Sequence, residues 1–425
     1  MWSRLTLNAE DPAQAVTSAL AACLAAHRGP YAVAVSGGPD SMALAWAARR
    51  ADPTIRAVHV NHRLRQGTDA EAGMVAGWLK QLGYTDPTVL LWESAAAGGD
   101  LQARARHARY GLMEAWCRDQ GIRGLLLAHH REDQAETLLI RLARGSGVDG
   151  LAAMAPAAPP LSGGPWPQRL RPLLTISRAT LRQLVGSAGL PTLDDPSNRD
   201  RRFARAQARA LLDTPPLPGL SAERLAATAD RFADALEVLD AAADHLADMC
   251  VSWTPLNSAR LGLEPWRAAP ADTRHRLLAR LLCLVAGRPY RPRYRDLQRV
   301  ADALADEPVA AQTLHHTCVI PGPPGQVDLV REAAGLPGAQ TLRPGAVIDW
   351  DGRYRLWVGA LPLTVKPLGE AGWRQIKQQV ARDPVPHVAR LVIPAGWQNE
   401  TVIAVPQLGL GEALLGVKAL RTVIG

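Results

Sequence analysis

Paired cysteines are absent from this chain. Cys23, Cys117, Cys250, Cys283 and Cys318 are scattered and form no C-x-x-C. That spacing argues against a disulfide framework or a zinc ribbon and fits small buried hydrophobes in a reducing compartment. No apolar stretch has the length of a membrane span, and the N-terminal residues lack a basic-then-apolar leader. A cytoplasmic protein with no membrane partner is expected. Lysine is scarce, at 80, 366, 377 and 418 alone, so the net charge of +8 rests on arginine. A basic chain suits an anionic partner such as nucleic acid. Arginine bias in an Ala-, Gly- and Pro-rich chain also follows from gene base composition, so charge alone decides nothing. Familiar signatures are missing too. The glycine loop at 36–41 lacks the Lys of a Walker A motif, its glycines are adjacent rather than spaced as G-x-G-x-x-G, and the histidines near 130 lack H-E-x-x-H spacing.

What is present is a run of alternating patterns. With 425 residues and 47% hydrophobic content, the chain should hold two or three globular domains. "NAEDPAQAVTSALAACLAAH" predicts an Ala-rich helix beginning after Asp11, with Pro12 at its first position. From residue 31 to about 150, short apolar runs (31–35, "TIRAVHVNHRLR", "TVLLW", "RGLLLAHH") alternate with helical stripes, including 70–82, 101–120 and "EDQAETLLIRLARG". Repeated βα units predict an α/β fold with a doubly wound parallel sheet, which binds ligands at the carboxyl ends of its strands. Polar clusters open at three such ends, at Ser36, His59 and His129. "LDTPPLPGL" is the best linker. The expected division is a catalytic α/β domain over 1–212, a helical domain over 220–307 and a small α+β C-terminal domain over 311–425.

Two stretches carry chemistry. In "AVAVSGGPDSMALAWAARR", a buried strand meets a helix through Ser36, Gly37, Gly38, Pro39, Asp40 and Ser41. Adjacent glycines let the backbone turn and approach a ligand, two serines add hydroxyls, and a helix start offers unpaired amides at its positive end. The result is an anion cradle of phosphate size. The bland alternative is a tight turn capped by Asp40. In "LLLAHHREDQAETLLIRLARGSGVDGL", His129, Asp133, Glu136 and Ile140 fall on one helical face. Two carboxylates one turn apart could hold a metal, an amine or another cation, or could simply be solvated acids at a helix start.

S-G-G-P-D-S resembles the pyrophosphate loop (PP-loop) of the ATP pyrophosphatases. It stands in order with "VHVNHRLR" at 58–65, "ARARHARY" at 103–110, "HHREDQAETLLIRLARGSGVDGL" at 129–151, and "RPLLTISRATLRQL" followed by "DDPSNRDRRFAR". Over roughly residues 30–212 the chain resembles the tRNA(Ile)-lysidine synthase family. The resemblance implies a ligase in which ATP adenylates the C2 oxygen of the wobble cytidine in the CAU anticodon of tRNA(Ile). The side-chain amine of free L-lysine then displaces AMP. It implies ATP binding by Ser36, Gly37, Gly38, Pro39, Asp40 and Ser41, with Asp40 serving Mg²⁺ or lysine. It also implies lysine recognition by Asp133 and Glu136; because acids beside the triphosphate would oppose ATP, their helix is expected to sit apart from it. Arg109, with Arg106 and Tyr110, matches an A-R-x-x-R-Y element suited to phosphate. His129 and His130 match paired histidines that could be catalytic or structural. Catalysis would thus rest on Asp40, Asp133, Glu136 and Arg109. A homodimer is left open.

Asn61 stands where many members carry Asp, Gln102 where Glu is usual, and Ala206 where Asn is expected. These departures touch neither the loop nor the paired acids. Two basic stretches suit tRNA: Arg201, Arg202, Arg205 and Arg209 on one helical face, and "GRPYRPRYRDLQR", where Arg288, Arg291, Arg293 and Arg295 interleave with Tyr290 and Tyr294. The alternative for the second is a solvated charged face with its tyrosines packed inward. A tRNA thiolase would need active-site cysteines, an amidotransferase-coupled ligase would need a glutaminase, and a non-catalytic RNA-binding protein would not need both Asp133 and Glu136.

Overall fold

Asp11 opens the first helix, α1 (Pro12–Ala26), in the predicted way: its carboxylate accepts from Ala13 N at 2.9 Å and Pro12 enters the first turn. The computed structural model describes residues 11–63, 67–92, 101–161, 166–194, 204–306, 308–380 and 385–420, with side chains left out over 101–107. The chain divides into two units, Met1–Leu236 and Glu237–Gly425.

The first unit is built on six strands, β1 (Tyr31–Ala34), β2 (Arg56–Asn61), β3 (Thr88–Leu91), β4 (Gly124–Leu126), β5 (Ala157–Ala158) and β6 (Gln168–Leu170). Their order is β3-β2-β1-β4-β6-β5, parallel throughout except for the edge pair β5–β6. Helices α2 (Pro39–Ala51), α3 (Thr68–Gln81), α4 (Leu101–Asp119), α5 (Arg131–Ala143) and α6 (Val148–Leu151) fall between strands, and α7 (Arg178–Ser187) and α8 (Ala204–Asp213) follow. β1 is apolar on both faces because both are covered. Tyr31, Val33 and Val35 share a core with Leu20, Met42, Leu44 and Leu181, whereas Ala32 shares another with Val58, Met113 and Cys117. α2 is buried from Ser41 to Ala45 and at Ala47 and Ala48, and its alanines let backbones pack closely. β1 pairs with β2 on one side and β4 on the other. The loops after β1 and β4 therefore open at the crevice where the strand order reverses, the usual ligand position in such sheets.

α9 (Ala222–Cys250) leads into the second unit. There β7 (Val251–Trp253), β8 (Ala259–Gly262), β9 (Gln312–Leu314), β10 (Thr317–Pro321) and β11 (Gln326–Arg331) form an antiparallel sheet in the order β7-β8-β11-β10-β9. It shares one core with α10 (Leu263–Ala268), α11 (Ala271–Ala286) and α12 (Tyr294–Ala305), including Leu261, Trp266, Leu281, Val300 and Leu329. The boundary expected at 307–311 therefore falls inside a single core. The short strands at 251–262 were hidden among strong helical periodicities; β7 pairs with β8, and β8 pairs with β11 from beyond residue 311. A four-stranded and a three-stranded sheet complete the unit. Among the described residues, no helix is long and apolar enough to cross a membrane.

Candidate active site

Gly37 makes the turn out of β1 at φ +90°, where a side chain is strained. A Cβ there would also lie 2.7 Å from Val75 Cγ2 and 2.8 Å from Leu193 Cδ1. The Gly37 carbonyl accepts from Leu193 N at 2.9 Å, which fixes the bend. Ser41 Oγ accepts from Ser36 N at 3.2 Å, donates to Gly38 O at 2.9 Å and lies 3.1 Å from Ser36 Oγ. Gly38 is the N-cap of α2 and brings no side chain to its amides, so the start of the helix is left open to an anion. Asp40 lies inside the first turn and is not its cap. Its Oδ2 is 3.5 Å from His130 Nε2, and its Oδ1 is buried without a hydrogen-bond partner.

His130 joins this loop to the acidic helix. It is the N-cap of α5 and is buried. Its Nδ1 lies 2.9 Å from Glu132 Oε2, and its Nε2 lies 3.5 Å from Asp40 Oδ2 and 3.7 Å from Asp133 Oδ2. Burial alone would lower its pKa, but hydrogen bonding to Asp40 and Glu132 and the charge of Asp133 push it up to about 9. The acids thus do not stand apart from the nucleotide loop as the sequence led us to expect. His130, whose raised pKa favours its protonated form, lies between them.

Asp133 accepts from His130 N at 3.0 Å and from Arg205 Nη2 at 2.8 Å. Burial would raise its pKa, yet Arg205, His130 and His129 hold it down at about 2. Glu136 has no exposed side-chain surface and meets three guanidinium groups: Arg178 Nη2 at 3.1 Å, Arg205 Nε at 2.9 Å and Arg209 Nε at 2.9 Å. Arg205 therefore bridges both acids. Asp40, Glu132, Asp133 and Glu136 are set against His130, Arg178, Arg205 and Arg209, four charges of each sign.

This arrangement corrects one expectation. Arg205 and Arg209 do share a helical face, but α8 docks on α5 and turns that face inward to the acids rather than outward to solvent. Arg201 and Arg202 lie outside the described residues, as do the side chains of Gln102 and Arg106. Two contributors had no visible role in the sequence, Glu132 and Arg178. Glu132 Oε2 accepts from Arg178 N at 2.8 Å and so ties α5 to the start of α7. The acidic run at 132–136 was a signal for Glu132, but nothing local could name Arg178. His59 is buried with its Nδ1 2.8 Å from Val35 O, and burial lowers its pKa; it secures β2 to the end of β1. Asn61 donates from its amide to Asp69 Oδ1 at 2.6 Å, a bond a carboxylate at 61 could not donate. Nothing in the structure accounts for Ala206. The Arg109 guanidinium lies 6.0 Å from the centre of the buried Tyr110 ring. Arg291 and Arg293 are exposed in the second unit.

Residues 12–214 match the PP-loop domain family. Over 401 residues the chain is 35% identical to the tRNA(Ile)-lysidine synthase of Ruegeria pomeroyi, covering 89% of each protein. It is 29% identical to that of Anaplasma marginale over 91% of this chain and 90% of that one. It is 40% identical to that of a Bradyrhizobium strain over 60% of this chain and 74% of that one. The match to the PP-loop domain family over residues 12–214, and similarity that runs through both units, lead to one assignment: the chain belongs to the tRNA(Ile)-lysidine synthase family.

Proposed function

We propose that the chain joins free L-lysine to C2 of the wobble cytidine in the CAU anticodon of tRNA(Ile), at the expense of ATP. The observation that carries this is the meeting of two distant motifs, Asp40 of the glycine loop and Asp133 of the acidic helix, on one nitrogen of His130. In the first step the C2 oxygen of the cytidine attacks the α-phosphorus of ATP, the bond to the β-phosphate oxygen breaks, and pyrophosphate leaves. In the second, the lysine side-chain amine, having lost a proton, attacks C2, and the C2–O bond breaks to release AMP.

Ser36, Gly37, Gly38, Pro39 and Ser41, with the open amides of α2, hold the phosphates. The buried, partnerless Oδ1 of Asp40 is a hard oxygen ligand of the kind Mg²⁺ takes. No group of three metal-binding side chains occurs among the described residues. That fits Mg²⁺ held by one carboxylate together with substrate phosphates. When bound, the ion would offset charge on the pyrophosphate. Arg109 is assigned to the phosphate or the adenylate.

Arg205 marks a cation position between Asp133 and Glu136. The lysine ammonium takes that position when it displaces Arg205, while Arg201 and Arg202 meet tRNA phosphate. A second reading is favoured by the three arginines on Glu136: the acids serve only to dock α8. The first test is incorporation of labelled lysine into tRNA(Ile) in the presence of ATP; no incorporation defeats the assignment. Arg205→Ala then separates the two readings at saturating tRNA. A lower KM for lysine is expected if the ammonium competes for that position, and an unchanged KM with a lower Tm if the acids only dock α8.

A further inference from the structure

We propose that Tyr290 and Tyr294 form a stacking platform for unpaired bases of the tRNA substrate, on an arginine-lined face of the second unit. This rests on the reading that the chain acts on tRNA. The sequence left two arrangements open, tyrosines packed inward beneath a charged face or tyrosines presented with it. Tyr290 is 58% exposed and Tyr294 63% exposed. The buried side of α12 is already filled by Leu297, Val300, Ala301 and Leu304, so neither ring is needed for the core.

The ring of Tyr294 and the backbone at Tyr290 are nonetheless held. Tyr294 meets His275 edge-on, with ring centres 5.6 Å apart at 83°, and its Oη lies 3.4 Å from His275 Nδ1. Tyr290 O accepts from Cys283 Sγ at 3.3 Å, which anchors the segment between α11 and α12. A ring fixed before binding loses less entropy on stacking than a free one.

Arginine surrounds the pair. Arg288, Arg291, Arg293, Arg295 and Arg299 are exposed, and Asp296 is the single acid between 287 and 299. Among the described residues, the side chains of Arg293 and Arg295 make no hydrogen bond or ion pair, so their charge is available to a polyanion. Phosphates answer the arginines and base faces answer the rings. In an A-form duplex the bases are already stacked on one another, so bare rings select unpaired nucleotides.

The test uses the full-length protein and tRNA(Ile), with affinity measured across a salt series. Tyr290→Ala with Tyr294→Ala should weaken binding about 10- to 100-fold at fixed salt and leave the salt slope unchanged. The double Phe variant should bind like the parent, because it keeps both rings. Arg293→Ala with Arg295→Ala should flatten the slope of log affinity against log salt by about 1.5 to 2. If the Ala pair binds normally while the arginine pair flattens the slope, the platform is overturned and the tRNA-binding face stands. If the Phe pair loses as much as the Ala pair, hydroxyl bonding replaces stacking and the platform is again overturned. If neither pair has an effect, the assignment of tRNA to this face fails as well.

Discussion

Asp40, Asp133 and Glu136 are all carboxylates, and their surroundings give them different work. Asp40 has one buried oxygen with no partner and a long contact to His130, so little of the fold depends on it. Asp40→Asn should abolish tRNA-dependent AMP formation and leave tRNA affinity and Tm nearly unchanged; parent-level AMP formation would remove Asp40 from the site. Asp133 is a stability group. Its pKa is depressed from 3.8 to about 2 in the fold, so its contribution is complete above the unfolded value and lost as pH falls through the folded one. Acid titration should show the parent losing on the order of 2 kcal/mol between about pH 4 and 2, a loss that Asp133→Asn does not share. Glu136→Gln leaves three arginines facing a neutral amide. Loss of one charged partner of a desolvated ammonium costs about 2–5 kcal/mol. The lysine requirement should therefore rise about 30-fold or more, with ATP affinity within a few-fold. A fall in ATP affinity with lysine saturation unchanged would make Glu136 part of the nucleotide site.

At the scale of elements, the unexpected contact is α8 on α5. The sequence shows a basic face on 201–209 and acids on 133–136, each with the right helical spacing. Spacing along one helix does not say which neighbour it meets. The pairing became visible only when α8 docked, and it joins residues about seventy positions apart. Arg205→Ala with Arg209→Ala should loosen that dock. Because the two side chains are 37% and 31% exposed, the loss should be about 1–2 kcal/mol rather than the larger cost of breaking a buried pair. Amide hydrogen exchange should rise first over residues 204–213; protection equal to the parent there would show that the ion pairs do not hold the helix. The glycine loop is the opposite case. Its conformation follows from Gly37, Gly38 and Pro39 themselves, so it was legible before the fold was known.

For the whole molecule, a net charge of +8 predicts salt-dependent tRNA binding, but the arginines do not contribute equally. Arg205 and Arg209 are neutralised by Asp133 and Glu136, so replacing them should change the salt slope little. Replacing Arg201 and Arg202 should flatten it by about 1.5 to 2, because each phosphate no longer neutralised keeps roughly one condensed counterion. Affinity measured from low to high salt checks both, and equal slopes for the two pairs would contradict this partition.

The sequence by itself determined the parallel α/β sheet and the family's PP-loop and acidic motifs. Each is written in local periodicity or in contiguous residues: apolar runs alternating with stripes, paired glycines before a helix, two acids one turn apart. Only the tertiary structure decided that His130 stands between Asp40 and Asp133, that Glu136 is enclosed by Arg178, Arg205 and Arg209, and that the strand at 259–262 joins one beyond 311. The physical reason is the same in all three. A charge takes its pKa, and a short strand its partner, from groups that the fold brings near, and those groups lie tens of residues away in the chain.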